Sequence, residues 1–522
     1  MIFLTQTMGA NVATKISKKN FTRILKITVS SIVLGACSVT PEPFTRSQIM
    51  DVAVRDQSRI RESQLPLDAE LSLPEATARA LKFNLEHRVQ VMSQALSSES
   101  FQLAKLDMLP ILALDAGVQA RDNFNASSSE SLETRLESLE PSFSEDRSNF
   151  NASARFSWNI LDFGVSYLRA KQEADRFIIA RMARQKSAQT LALQVRVAFW
   201  RSAALQLVSD DVDRLIAFAS EARKGLEEVR QQRLRAPVDV LEDIRSLSEI
   251  IQQLETLRET ANTANVELAG LINVVPGQHI RLKIPNTLAE MPQLNPNMEQ
   301  LELLALVNSA DYKTEIYNAR ITQREVRKSM LRLLPSAELF AGANYDTNSF
   351  LAFNQWNQVG ARLNWNIFRL LGSGQVSDHN EAQVLLVEAR KLAANMATVT
   401  QVHAALAGYA SAKVRLGRAE DIDNIDTQIQ ALTDQAEQSR ATSEIVQLRT
   451  ELRSLRSRVA KMLAYAGAQQ AWGTFLNSLS LSPVPYDYQT YSLEDLTGMI
   501  DQSYTDWRNG RLPSVEETTS SR

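Results

Sequence analysis

Residues 156–164 read FSWNILDFG and residues 363–372 read LNWNIFRLLG, nearly the same phrase, 207 positions apart. An internal duplication of this size constrains the architecture before any single residue does. Each half opens with a helical segment, about 72–108 and 298–333. Each then meets a proline after Leu-rich residues, Met108-Leu109-Pro110 and Leu333-Leu334-Pro335. Two short strand-like runs follow, and the repeated phrase closes the second. A very long proline-free segment comes next, and after a break near residue 236 or 441 a second helix returns.

The strand runs carry the firmest pattern. From Asn149 to Ile160 polar and apolar residues alternate without a fault, and from Gln358 to Ile367 they alternate again. Their partners are weaker: Leu112, Leu114, Ala116, Val118 and Ala120 share one parity, as do Leu339, Ala341, Ala343 and Tyr345. Period two makes one face apolar and the other wet. The length suits a tilted strand crossing a bilayer. A soluble antiparallel sheet with one wet face would show the same alternation. Phe156 and Trp158, with Trp365 and Phe368, sit near strand ends, where aromatics suit a membrane interface.

The segments 166–233 and 375–439 lack proline and are rich in Ala, Gln, Arg, Glu and Leu, all good helix formers. About 68 residues would make a rod of roughly 100 Å. Such length points to coiled-coil packing rather than a globular core. Leu191, Val195, Ala198, Leu205 and Val208 recur at spacings of three, four and seven beside Trp200, a stripe read as simple helix packing. The Ser- and acid-rich stretch 122–148 has the composition of a mobile exposed loop, whereas the second hairpin loop, about 346–356, is short. Residues 279–284 form a possible short strand. Order is expected around Tyr486–Trp507 and disorder after Pro513.

Net charge is −3, which argues against nucleic acid as the partner. The one Cys, Cys37, excludes an intramolecular disulfide and a Cys-based zinc site. The N-terminus carries Lys15, Lys18, Lys19, Arg23 and Lys26 before a short apolar core, residues 27–34, as a secretory signal does. It ends in Leu34-Gly35-Ala36-Cys37, which resembles the lipobox of bacterial lipoproteins and makes Cys37 the expected lipidation site. Within that class, Ser38 rather than Asp favours the outer membrane. The organisation expected is a signal peptide 1–36, a lipid-anchored linker 37–71, a first repeat 72–273, a linking or equatorial segment 274–297, a second repeat 298–482, and a C-terminal segment with a disordered tail, 483–522.

Four strands cannot close a membrane barrel, which needs about eight or more. An open edge in hydrocarbon leaves backbone groups unpaired at several kcal/mol each, so copies of the chain must complete the sheet together. Asn149, Asn151, Ser153, Arg155 and Ser157, with Arg362, Asn364 and Asn366, would line a wet lumen. The order of lipidated N-terminus, duplicated helix–strand–strand–long helix–helix unit and Trp-Asn-Ile strand ends resembles the TolC family of outer-membrane efflux proteins. The phrase at 158–164 is similar to that family's strand-to-helix junction, and Gln194-Val195-Arg196-Val197-Ala198-Phe199-Trp200 to its long-helix signature. The resemblance covers about residues 70–480. It implies a mostly α chain with a small β part: a homotrimer whose shared twelve-stranded transmembrane barrel continues into a long coiled-coil α-helical barrel across the periplasm. It also implies a periplasmic adaptor and an inner-membrane pump, either an RND transporter or an ABC transporter, with cargo passing without a cofactor.

The same resemblance places the periplasmic gate and adaptor contact at the two helix–helix turns. In the first, Asp239-Val240-Leu241-Glu242 matches the family's turn motif, and rings of carboxylates would favour cations. The plainer reading is that Asp239 and Glu242 favour a helix N-terminus. The second turn, 439–448, departs from the pattern: Gln447 falls near where an acid is expected, Glu444 could substitute, and the usual glycine is missing from both turns. No catalytic motif, phosphate loop or metal spacing is present, and the four histidines, His87, His279, His379 and His403, are scattered. Gly372-Ser373-Gly374 reads as a bend entering the second long helix. The competing reading from another class is a lipid-anchored periplasmic coiled-coil scaffold with a soluble β-domain.

Overall fold

A computed structural model describes residues 41–67, 69–138, 140–232, 236–278, 280–285, 288–294, 297–438 and 444–513. Cys37, His279, residues 233–235 of the first turn and residues 439–443 of the second lie outside the described residues. The chain forms two units, Met1–Ser63 and Gln64–Arg522.

The first unit holds a helix, α1 (Arg46–Glu62), where sequence reading expects only a linker. Its cause is local. Thr45 and Gln48 form a reciprocal capping box, satisfying donors that an uncapped helix end would leave bare.

In the second unit the duplication is visible element by element. Two helices, α2 (Leu73–Phe83) and α3 (Leu85–Leu106), are separated by Asn84, whose side chain caps α3. The strand β1 (Ile111–Ala120), a two-residue ladder of β2 (Ala126–Ser127) and β3 (Ser142–Phe143), and β4 (Ser148–Asn159) follow. Then come α4 (Ile160–Gln206), α5 (Ser209–Gln231) and α6 (Pro237–Leu271). The second half repeats the plan with α7 (Met298–Asn308), α8 (Ala310–Leu331), β5 (Ser336–Asp346), β6 (Gln355–Asn364), a short α9 (Ile367–Leu371), α10 (Ser373–Gln438) and α11 (Glu444–Ser478). Corresponding helices match in length: 11 residues for α2 and α7, 22 for α3 and α8, 35 for α6 and α11. Ser309 does in the second half what Asn84 does in the first, its hydroxyl accepting from the Tyr312 N–H. A final helix, α12 (Leu493–Arg508), is capped by Ser492.

The repeated phrase marks the strand-to-helix junction. Asn159 is the last residue of β4, and its side chain accepts from the N–H groups of Leu161 (3.0 Å) and Asp162 (3.1 Å), capping α4. Trp365-Asn366-Ile367 occupies the same junction, after β6 and at the start of α9.

Several expectations need correction. Residues 166–233 are not one rod: the helix breaks at Leu207 and Val208. The cause is tertiary. The Gln206 side chain accepts from the Leu282 N–H (3.0 Å) and donates to the Ile280 carbonyl (3.4 Å), tying the helix to the segment that links the halves. In the second half α10 does run unbroken for 66 residues, roughly 100 Å at 1.5 Å per residue. Gly372 separates α9 from α10 at φ −88°, a conformation open to any residue, so the bend does not require glycine there. Of the 279–284 segment, the described residues 280–284 make an isolated parallel bridge, Leu71 with Leu282, instead of a strand. The described residues of 122–148 are almost all exposed, as the composition suggests, and they also carry local structure. Besides the β2–β3 ladder, Phe143 packs on Phe124 (4.4 Å between ring centres) and edge-on to Phe350 (5.4 Å). Buried Asn348 donates to the Ser144 carbonyl and accepts from the Asp146 N–H, lacing the two hairpin loops together.

The main core gathers α2, α4, the end of α6, the linking segment, α7, α10, α11 and α12 around Phe199, Phe475, Leu479, Leu268 and Ile500. A smaller core joins α5, α6 and α11 through Leu215, Leu247, Leu254 and Leu455. The helical stripe seen in sequence, Leu191 to Val208, is buried, as simple packing requires.

Candidate functional site

The four long strands form one antiparallel sheet in the order β1-β4-β5-β6. Register decides which side chains share a face. Leu112 lies opposite Phe156, Leu114 opposite Ala154 and Val118 opposite Phe150. Phe156 then faces Ala341, Trp158 faces Leu339, and these meet Val359 and Ala361 on β6. All sit on one face, because pairing conserves the alternation of each strand. That face is apolar and bare: Leu114 is 79% exposed, Val118 77%, Val359 83% and Leu363 70%. A soluble monomer rarely displays a contiguous apolar patch of this kind.

The other face holds Asp115, Asn151, Ser153, Arg155, Glu338, Arg362 and Asn364. The four sequence-derived lumen candidates, Asn151, Arg155, Arg362 and Asn364, thus share one polar face, and all four are exposed. Arg362 stands 3.9 Å from Glu338 and its guanidinium lies over the Phe340 ring at 5.8 Å. Phe340 and Trp356 are the aromatic exceptions on this side. Gly360, opposite Phe340, is where the ring rests: a Cβ there would lie 2.5 Å from the ring.

The aromatics Phe156, Trp158 and Trp365 are all partly exposed at the helix-side end of the sheet. Trp158 meets Phe163 edge-on at 5.9 Å, and the Trp365 indole donates to the Leu333 carbonyl at 3.0 Å. Among the described residues, strands β1 and β6 each pair on one side only, leaving two open edges.

At the opposite end, α6 and α11 begin. Asp239 lies in the first turn of α6 after Pro237, and both Asp239 and Glu242 are exposed around buried Val240. Glu444 opens α11, and Gln447 is half-buried on it. The two helices are joined by Arg449, 3.9 Å from Asp243 and donating to Ser246 at 3.2 Å. Sequence reading passed over that link, because nothing local marks Asp243 and Arg449 as neighbours. The turn candidates therefore belong to two adjacent helix starts.

Other buried polar groups join elements far apart in sequence. Asp175 on α4, 2% exposed, accepts from Arg320 Nε at 3.1 Å and from Arg324 on α8. His87 is buried between Ser187 (2.9 Å) and the Tyr488 hydroxyl, and burial with the nearby Arg184 charge lowers its pKa to about 4. Among the described residues no three His, Asp, Glu or Cys side chains form a metal-holding group. No described helix is long and apolar enough to cross a membrane, which says nothing of a β-barrel.

The elongated helices and four-stranded sheet define a TolC-like fold, the fold of outer-membrane channels. The chain is similar to the Campylobacter jejuni CmeC outer membrane channel at a TM-score of 0.63 and 11% identity, over 83% of this chain and 90% of that one. It is similar to the outer membrane protein VceC of Vibrio cholerae at 0.58 and 14% identity, over 78% and 96%. It is similar to the open state of the Neisseria gonorrhoeae MtrE outer membrane channel at 0.60 and 15%, over 78% and 88%. No protein-family model matches the chain, and no curated protein matches it by sequence.

Proposed function

We propose that the chain is one subunit of a trimeric outer-membrane channel, the passive exit duct of a tripartite efflux or type I secretion system. One observation carries this reading: a four-stranded sheet with an exposed apolar face, a polar opposite face and two unpaired edges. Unpaired edge groups are intolerable in hydrocarbon, and three copies would supply twelve strands, wide enough for a wet interior. Asn151, Arg155, Arg362 and Asn364 would then line the lumen. Phe156, Trp158 and Trp365 would meet the membrane interface. Cys37 would carry the lipid anchor in the outer membrane. The similar folds of CmeC, VceC and MtrE support the channel assignment.

The duct would receive cargo from an inner-membrane RND or ABC pump through a periplasmic adaptor docked at the α5–α6 and α10–α11 ends, where Asp239, Glu242, Glu444 and Gln447 would form the gate. The purified protein is expected to run as a trimer, to resist carbonate extraction and to give stepwise conductance in planar bilayers. A carbonate-extractable monomer without conductance would sink the channel and favour the scaffold. Reversing charge with Asp239→Lys and Glu242→Lys is expected to lower cation selectivity of the pore. Unchanged selectivity and export would remove both from the gate.

A further inference from the structure

We propose that a second site, independent of the duct, binds a small organic carboxylate with an apolar or aromatic body, its charge received by Arg196. The site is a cavity of about 470 Å³ walled by the start of α2, by α4, by residues 283–285 and 289–292, by α11 and by α12. That volume lies in the range of small-molecule pockets.

Arg196 is 6% exposed, yet no acidic side chain lies within ion-pair reach of it among the described residues. Its guanidinium donates to Gln469 Oε1 at 2.9 Å and lies 4.3 Å from the centre of the Tyr504 ring. A guanidinium offers five donors, so most of its capacity is unspent. Burial pushes its pKa down, and the neighbouring tyrosines offset that in part. A buried charge left without a counter-charge is costly, and a ligand carboxylate would relieve it.

The cavity's other features agree. Trp200, on its wall, has a buried indole N–H without an acceptor among the described residues. Phe199, Trp472, Ile284 and Tyr465 supply an apolar lining. Two exposed cations at the rim, Lys283 and Arg508, are matched by two exposed acids, Glu290 and Asp501, so Arg196 remains the unmatched charge. Gly498 also lines the cavity, inside α12, and a Cβ there would meet nothing within 4 Å. Glycine inside a helix is destabilising, and here it leaves the space open.

The test is calorimetric titration of the purified full-length protein with 1-naphthoate and with its uncharged counterpart, 1-naphthalenemethanol. Expected is one saturable naphthoate site per chain, with the alcohol at least about tenfold weaker, since a charge-assisted bond outweighs a neutral one. Gly498→Phe, which adds a ring at the exposed wall of the cavity, should weaken naphthoate binding at least about tenfold. Arg196→Gln should reduce naphthoate to the level of the alcohol; should that variant fail to fold, Gly498→Phe still decides. The proposal falls if naphthoate shows no saturable binding up to about 10 mM. Equal affinity for the alcohol, or unchanged binding to Gly498→Phe, also overturns it. Displacement of naphthoate by equimolar inorganic phosphate would assign a simple oxyanion site and overturn the ligand class.

Discussion

Single residues bind the two halves where no backbone ladder does. Asp175 is a buried carboxylate held between two arginines of α8. Asp175→Asn removes the charge from these contacts while both arginines keep access to solvent, so it is expected to cost about 1–2 kcal/mol. Thermal melting of the detergent-solubilised protein would read this as an earlier loss of helicity; an unchanged melt would show the contact to be dispensable. His87 makes a pH-dependent prediction. Its folded pKa, about 4, lies below the ordinary 6.5, because burial and Arg184 disfavour the imidazolium. The unfolded chain therefore takes the proton first. Stability from this group is complete above pH 6.5 and is lost as pH falls toward 4, by up to about 1.4 kcal/mol per pH unit. His87→Gln should flatten melting temperature against pH in that window, and a slope equal to the parent's would assign the dependence elsewhere. None of these roles was legible in sequence. His87 stood there as one of four scattered histidines, since burial depends on residues such as Ser187 and Tyr488, 100 and 401 positions away.

At the scale of elements, local signals carried much of the fold. Asn159 caps a helix at the end of a strand, and both operations depend on a few adjacent residues, so the repeated phrase announced them. Thr45 and Gln48 announced α1 equally plainly, and that capping signal went unread among linker-like residues. The break at Leu207 could not be read, because it depends on Gln206 gripping Ile280 and Leu282 from another part of the chain. In the sheet, Gly360 makes room for Phe340 across the ladder. Gly360→Val would force that ring away and is expected to lower the melting temperature of the protein by several degrees, given about 1–3 kcal/mol for overpacking. Gly225→Ala, in open helix surface where a Cβ meets nothing, is the matched control and should not.

The whole molecule raises the question of who covers the open edges. If identical copies complete the sheet, β6 of one subunit meets β1 of the next. A Val359→Cys chain, combined with a cysteine scan along 112–118, is expected to give disulfide-linked dimers and trimers on non-reducing gels in membranes. Crosslinks forming only within a chain, or none along the scan, would contradict shared closure.

The amino-acid sequence by itself determined the duplicated plan, the four alternating strands, the helical character of the long segments and the junction phrase. Each is written in spacing along the chain, where period two or 3.6 assigns a residue to a face without knowledge of its neighbours. Only the tertiary structure decided that all four strands share one sheet in the order β1-β4-β5-β6, that its apolar face lies bare, and that Arg196 is buried beside a cavity with no counter-charge among the described residues. Those facts depend on contacts between residues hundreds of positions apart, and no local pattern records which distant partner a buried group meets.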